Sequence, residues 1–88
     1  MSADHLILGV HLSDRVTEAV EVQAVFTELG CNIKTRIGLH DADGNVCGRG
    51  GVILLELVGG EDSYEKMAAR LAAIPGVEVQ RMVFAHGA

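Results

Sequence analysis

Four short apolar segments and two amphipathic ones, following one another as β-α-β-β-α-β, predict an α+β sandwich with a four-stranded antiparallel sheet and both helices on one face. Three observations carry that expectation. The spacing of apolar residues switches between a period of two and a period of 3.6 along the chain. Glycines and capping residues fall where the period switches. The chain has 88 residues, 49% of them hydrophobic and 22% charged, enough for one core and no second domain, so residues 1–88 are read as a single domain.

The first segment, Leu6 to Leu12 (LILGVHL), is short and apolar, as a buried strand is. Ser13 or Asp14 then offers a helix N-cap. A helical pattern runs from Arg15 to Leu29. At 100° per residue, Val16, Ala19, Val20, Val22, Phe26 and Leu29 share one broad arc, with Thr17, Glu18, Glu21 and Glu28 opposite and Val25 on the polar side. Gly30 stands where a C′ glycine would end that helix.

Asn32 to His40 alternates: Ile33, Thr35, Ile37 and Leu39 on one face, Lys34, Arg36 and Gly38 on the other. That pattern describes a half-exposed edge strand. Gly51 to Val58 (GVILLELV) is nearly all apolar, with Glu56 its one acid. Gly59-Gly60 turns the chain, and Asp62 to Glu65 has the form of a capping box with Asp62 as cap. The helix that follows runs to about Ile74 and stripes Tyr64, Met67, Ala68, Leu71 and Ile74 along one side. Pro75-Gly76 ends it, and Val77 to Phe84 is the last strand.

Two right-handed crossovers give this succession the strand order 4-1-3-2, a ferredoxin-like arrangement. That order puts the two most apolar strands, the first and third, in the centre. It also creates a problem. With helices on one face only, whichever alternate set of Leu6 to Leu12 and Val52 to Val58 turns away from them leaves large apolar side chains in water. Each exposed one forgoes roughly 1.5–3 kcal/mol of burial. A second copy of the chain is the simplest cover, by sheet-to-sheet or edge-to-edge packing, and a homodimer or higher homo-oligomer is expected.

Composition excludes several classes of function. The net charge is −5 and the seven basic residues are scattered, so direct nucleic-acid binding is not expected. No apolar run is long enough to span a bilayer, and MSADHL does not begin a signal peptide, so a cytoplasmic protein is expected. Cys31 and Cys47 are too far apart for a CxxC pair and too few for a disulfide scaffold.

The stretch His40 to Gly51, HDADGNVCGRGG, is the chain's most unusual. His40 and Cys47, with Asp41 or Asp43, offer mixed ligands for a borderline metal, against the plainer alternative of a loop that binds nothing. Asp41 to Asn45 begins like a calcium loop but has its glycine two positions early and no glutamate at the twelfth place. Gly48 to Gly51 is glycine-rich but leads into a strand, not a helix, and so lacks the amide array of a phosphate cradle. The expectation is an over-long hairpin loop between the second and third strands. No nucleophile–base set stands out, and no cofactor is expected. Glu56 is read as a structural acid neutralised across the strand pair by Lys34 or Arg36.

Asp14-Arg15 after the first strand, the apolar helix, and Gly30-Cys31-Asn32-Ile33 opening the second strand resemble the first half of an ACT-type regulatory domain. The whole chain, through Thr35 to Gly38 (TRIG) and Leu71 to Gln80 (LAAIPGVEVQ), is similar to small stand-alone ACT-like proteins described as iron-only hydrogenase system regulators. The resemblance implies a non-enzymatic, homo-oligomeric regulator with a small-molecule effector held near the first strand–helix turn. Asp14, Arg15 and Asn32 are the matching ligand-binding positions. The Pro-Gly that usually follows Asp-Arg is Val16-Thr17 here, and a Cβ stands where a ligand would approach the backbone.

Overall fold

The computed structural model describes residues 4–43 and 46–85, without the side chains of Arg15 and of positions 40–49. Its elements are β1 (His5–Leu12), α1 (Arg15–Glu28), a 3-10 turn (Gly30–Asn32), β2 (Ile33–Asp43), β3 (Val46–Leu57), α2 (Gly60–Ala72) and β4 (Val77–Phe84). The antiparallel sheet runs β2-β3-β1-β4, which is the expected order 4-1-3-2.

Alternation decides which side chains meet the helices. On β1, Leu6, Leu8, Val10 and Leu12 are buried. Leu55 and Leu57 join them from β3, and Tyr64, Met67, Ala68, Leu71 and Ile74 from α2 and its end. The α2 stripe is the one its 3.6-residue period predicts. Tyr64 is buried whole, and its hydroxyl donates to the Ile7 carbonyl of the central strand at 2.7 Å.

Helix α1 is rotated from its expected setting. Val22, Val25 and Phe26 are buried, while Val16 and Val20 are 79% and 78% exposed. The cause is Glu18, which is 7% exposed despite its charge. Its carboxylate accepts from Ser13 Oγ at 2.7 Å and from the Asp14 amide at 3.3 Å. With Glu18 turned inward, residues 22, 25 and 26 follow within about 80° of it, and residues 16 and 20 fall on the opposite side.

Three other local expectations are corrected. Gly30 does not take a left-handed C′ conformation; Leu29 caps α1, and Gly30 opens the 3-10 turn. Helix α2 begins at Gly60 behind a left-handed Gly59, two residues ahead of the expected Asp62 cap, with no side chain capping it. The β2 alternation is broken by a bulge between Ile33 and Thr35. Ile33 packs against the core, whereas Thr35 pairs with Glu56 on the other face. A bulge shifts every later side chain to the opposite side, which a pattern of alternation cannot reveal.

The largest correction concerns the expected loop. Strands β2 and β3 continue through it, with His40 opposite Gly51, Ala42 opposite Cys47 and Asp43 opposite Val46. Strand β1 ends its pairing with β3 at Gly51, so the hairpin runs on as a two-stranded arm. The molecule is accordingly long, 47 × 26 × 17 Å, and its radius of gyration of 13.7 Å exceeds the roughly 12 Å of a compact chain this size. The composition of this stretch reads as turn, but a backbone ladder needs no apolar side chains to pair.

Gly76 has φ +86° in the turn before β4, and a Cβ there would overlap the Glu18 carboxylate and crowd Ser13 Oγ. Gly76→Ala is expected to lower stability by about 2 kcal/mol in urea denaturation. Burial pushes the Tyr64 phenol above its ordinary value of 10.0. The folded chain therefore keeps that proton after the unfolded chain has released it. Tyr64 contributes stability that is whole below pH 10 and is lost as pH rises through the folded value. Tyr64→Phe is expected to cost about 1 kcal/mol at neutral pH. It should also shrink the alkaline loss of stability, as measured by denaturation from pH 8 upward.

Candidate functional site

Two surface features stand out. The first is a groove of about 620 Å³ between the N-terminal half of α1 and strands β2 and β3. Leu12, Val16, Ala19, Val22 and Ile53 form apolar walls, and Gln23 is the polar residue among them. The space exists because Gly38 and Gly51 have no side chains to fill it; a Cβ on Gly38 would meet nothing within 4 Å. Val16, turned outward by the rotation of α1, stands on its rim.

Asp14, between the lining residues Leu12 and Val16 in sequence, is the N-cap of α1. Its Oδ1 accepts from the Val16 and Thr17 amides at 3.1 and 3.3 Å. This arrangement satisfies two of the first amides of the helix and places a carboxylate at the positive end of the helix dipole. Arg15 is the first residue of α1; its side chain lies outside the described residues. Asn32 lies elsewhere. Its Nδ2 donates to the Val58 carbonyl at 3.0 Å and its own carbonyl accepts from the Val58 amide at 2.8 Å, which ties the start of β2 to the end of β3. Asp14 and Asn32 therefore lie beyond opposite ends of α1, a helix about 21 Å long at 1.5 Å per residue. One chain brings Asp14 and Arg15 together and keeps Asn32 apart.

The second feature is the face of the sheet without helices. The registers place Ile37, Leu54, Gly9 and Gln80 in one row across it, and Thr35, Glu56, Ile7 and Met82 in the next. Ile37, Leu39, Leu54, Met82 and Phe84 are exposed there. Above Gly9 the face dips into a hollow of about 390 Å³ walled by Ile7, Val52, Leu54 and Met82, with His11, Glu78 and Gln80 at one side.

Glu56 is a second acid of this face, in addition to Glu78, and Lys34 Nζ stands 3.9 Å from it, as the strand pairing predicted. Arg36, the other expected partner, is turned to the helix side by the bulge. It lies over the Phe26 ring at 4.8 Å and donates to Gln23 Oε1 at 3.3 Å. The sequence reading missed His5, whose Nδ1 is 3.1 Å from Glu56 Oε2. That contact is diagonal, between strands 51 positions apart in sequence, and only the register gives it away.

His40 and Cys47 keep their strand registers, but their side chains, like those of Asp41 and Asp43, lie outside the described residues, and with them the proposed metal ligands. Cys31 is exposed and makes no disulfide. Among the described residues no three histidine, cysteine or acidic side chains gather as a metal site would require, and no helix is long and apolar enough to cross a membrane.

None of the known protein-family models matches the chain, and neither does any curated protein. Solved structures do. The chain is similar to an uncharacterized protein from Thermotoga maritima, with a TM-score of 0.78 and 20% identity over 94% of this chain and 100% of the other. It is similar to CPII, a nitrogen regulatory PII-like protein from Thiomonas intermedia bound to ADP, AMP and bicarbonate, with a TM-score of 0.58 and 11% identity over 98% of both chains. A formyltetrahydrofolate deformylase from Pseudomonas putida matches 89% of this chain with 28% of its own length, at a TM-score of 0.56 and 16% identity. At such identities the likeness speaks for the fold. The chain has the ferredoxin-like α+β fold of the PII-like protein, consistent with an ACT-like arrangement.

His5, by its hydrogen bond, holds the Glu56 carboxyl below the ordinary glutamate value of 4.5, with Lys34 adding to the effect. The unfolded chain takes up that proton first as pH falls. Glu56 therefore contributes stability that is present above pH 4.5 and is lost as pH drops through its folded value. Glu56→Gln should make stability less dependent on pH below 4.5, and parallel urea titrations of the two proteins at pH 3, 4 and 6 check it.

Proposed function

We propose that this chain is a non-enzymatic regulatory protein, an ACT-like homodimer that binds a small ligand or a protein partner. The observation that carries the reading is the concentration of exposed apolar side chains on the helix-free face: Ile37, Leu39, Leu54, Met82 and Phe84. A monomer would hold all of them in water, and a second copy removes them from it. The full-length likeness to a PII-like protein that holds small molecules supports ligand binding by analogy of fold.

Asp14, Arg15 and Asn32 are the proposed ligand-binding residues. Because Asp14 and Asn32 lie beyond opposite ends of α1, they would not meet at one ligand within a chain: Asp14 and Arg15 form one candidate contact and Asn32 a separate one. The glycine-floored groove beside Asp14 gives an apolar part of such a ligand somewhere to lie. Regulation then follows from linkage: a ligand that favours one packing of the dimer shifts its affinity for whatever the dimer contacts, by as much as its own affinity differs between packings. The resemblance carried by TRIG and LAAIPGVEVQ supports a place in iron-only hydrogenase regulation.

Sedimentation equilibrium is expected to give twice the 9.3 kDa of one chain. Mass spectrometry of protein taken directly from cells, compared with Arg15→Gln, is expected to show a small molecule that the variant loses. A 9.3 kDa species at every concentration would overturn the homodimer. A stoichiometric metal, lost on replacing His40 or Cys47, would favour a metal-binding module instead.

A further inference from the structure

We infer that the helix-free sheet face is closed by the same face of a second copy, with Leu54 of each chain seated in the hollow over Gly9 of the other. The inference rests on the homodimer reading above and deepens it by naming the surface and the packing.

The argument begins with Gly9. It lies in the middle of β1 on the helix-free face, in direct register with Leu54 on β3. Its missing side chain makes the hollow, and Leu54 is the large apolar residue standing immediately beside it. A knob and a hole thus sit in one row, on adjacent central strands. A two-fold axis running along the strands, between β1 and β3 and midway between two stacked sheets, carries β1 of one copy over β3 of the other without shifting residues along the strands. Leu54 of each copy then faces Gly9 of its partner, and the contact forms twice. Stacked sheets lie about 10 Å apart, a gap that side chains from both faces must fill. A leucine opposite a glycine suits that gap, whereas two opposed leucines would crowd it. The same operation sets Ile37, at one end of the row, against the partner's Gln80, at the other, so the same patch serves both copies as an isologous interface requires.

Area and charge agree with this occupant. Four strands about 4.8 Å apart and eight residues of about 3.4 Å each give roughly 500 Å² of flat area per copy. Two such faces reach about 1,000 Å² even before the relief of the side chains is counted, the lower bound for a specific interface. Glu56, a carboxylate inside the patch, brings its own partners, Lys34 and the His5 imidazole, from the same chain. Glu78 is a second carboxylate of the face: it borders the hollow from β4, the edge strand, on the side toward the rim.

Gly9→Ala tests the packing without disturbing the monomer. A Cβ on Gly9 meets Leu54 Cδ2 at 3.8 Å and the Gln80 carbonyl at 3.9 Å, both ordinary contacts, so the folded chain accepts it. The hollow loses its floor to that methyl. The expected result is at least a tenfold weaker dimer by sedimentation equilibrium, with unchanged circular dichroism and an unchanged urea midpoint for the monomer. Ile37→Glu, on a side chain already 50% exposed, is expected to weaken it at least as much. Val20→Ser, on the outer side of α1, is expected to leave it unaltered. If the native chain is a dimer and neither Gly9→Ala nor Ile37→Glu changes its dissociation constant by more than threefold, the proposed packing is wrong and the homodimer stands on another surface. If the native chain is a monomer, both readings fall.

Discussion

A strand can offer only every second residue to one layer of helices. In this molecule that constraint acts on two central strands that are apolar on both sides. Leu6, Leu8, Val10 and Leu12 of β1, with Leu55 and Leu57 of β3, complete the core with α1 and α2. Ile7, Val52 and Leu54 are then committed to the other side by geometry alone. The stability of the monomer and the character of its exposed face come from the same pairing, and neither can be changed by register without changing the other.

The edges show how the remaining parts answer to that centre. Gly76 lies under Glu18, and the Ser13 amide donates to the Gly76 carbonyl at 3.1 Å. The turn that starts α1 is therefore built against the turn that starts β4. Gly59 plays the corresponding part at the other end, where φ is +103° and a Cβ would overlap the Asn32 amide that bridges to Val58. These two glycines are fixed by conformation and by close approach together. Both ends of α1 are held through side chains that the sequence analysis had assigned to a ligand or to a cap. Asp14 and Asn32 thus have structural roles whatever else they contact.

Much of the fold was legible because periodicity and punctuation agreed. The β1, β3 and β4 runs, the α2 stripe and the strand order all follow from apolar spacing and from where Gly59-Gly60 and Pro75-Gly76 fall. What was not legible has physical causes. Glu18 reads as a solvent-facing acid until its partners Ser13 and Asp14 are known, and with it goes the rotation of α1. The bulge at Lys34 leaves no trace in residue type, so Arg36 was expected beside Glu56 and stands instead over Phe26. The glycines and aspartates of the His40 to Gly51 stretch suggest a loop, yet paired backbone carries it onward. Of the candidate site, the Asp14 cap and the Lys34–Glu56 pair were readable from local pattern. The His5 contact and the hollow at Gly9 needed the register of three strands.

The two-stranded extension has a consequence for how the molecule presents itself. Five residues of β3 precede Gly51, so the ribbon reaches about 17 Å past the last residue that β1 supports. A hairpin alone gains little from the core and gives little back. Changes near its end leave the packing of α1 and α2 untouched, so the body acts as a mast and the ribbon as its boom.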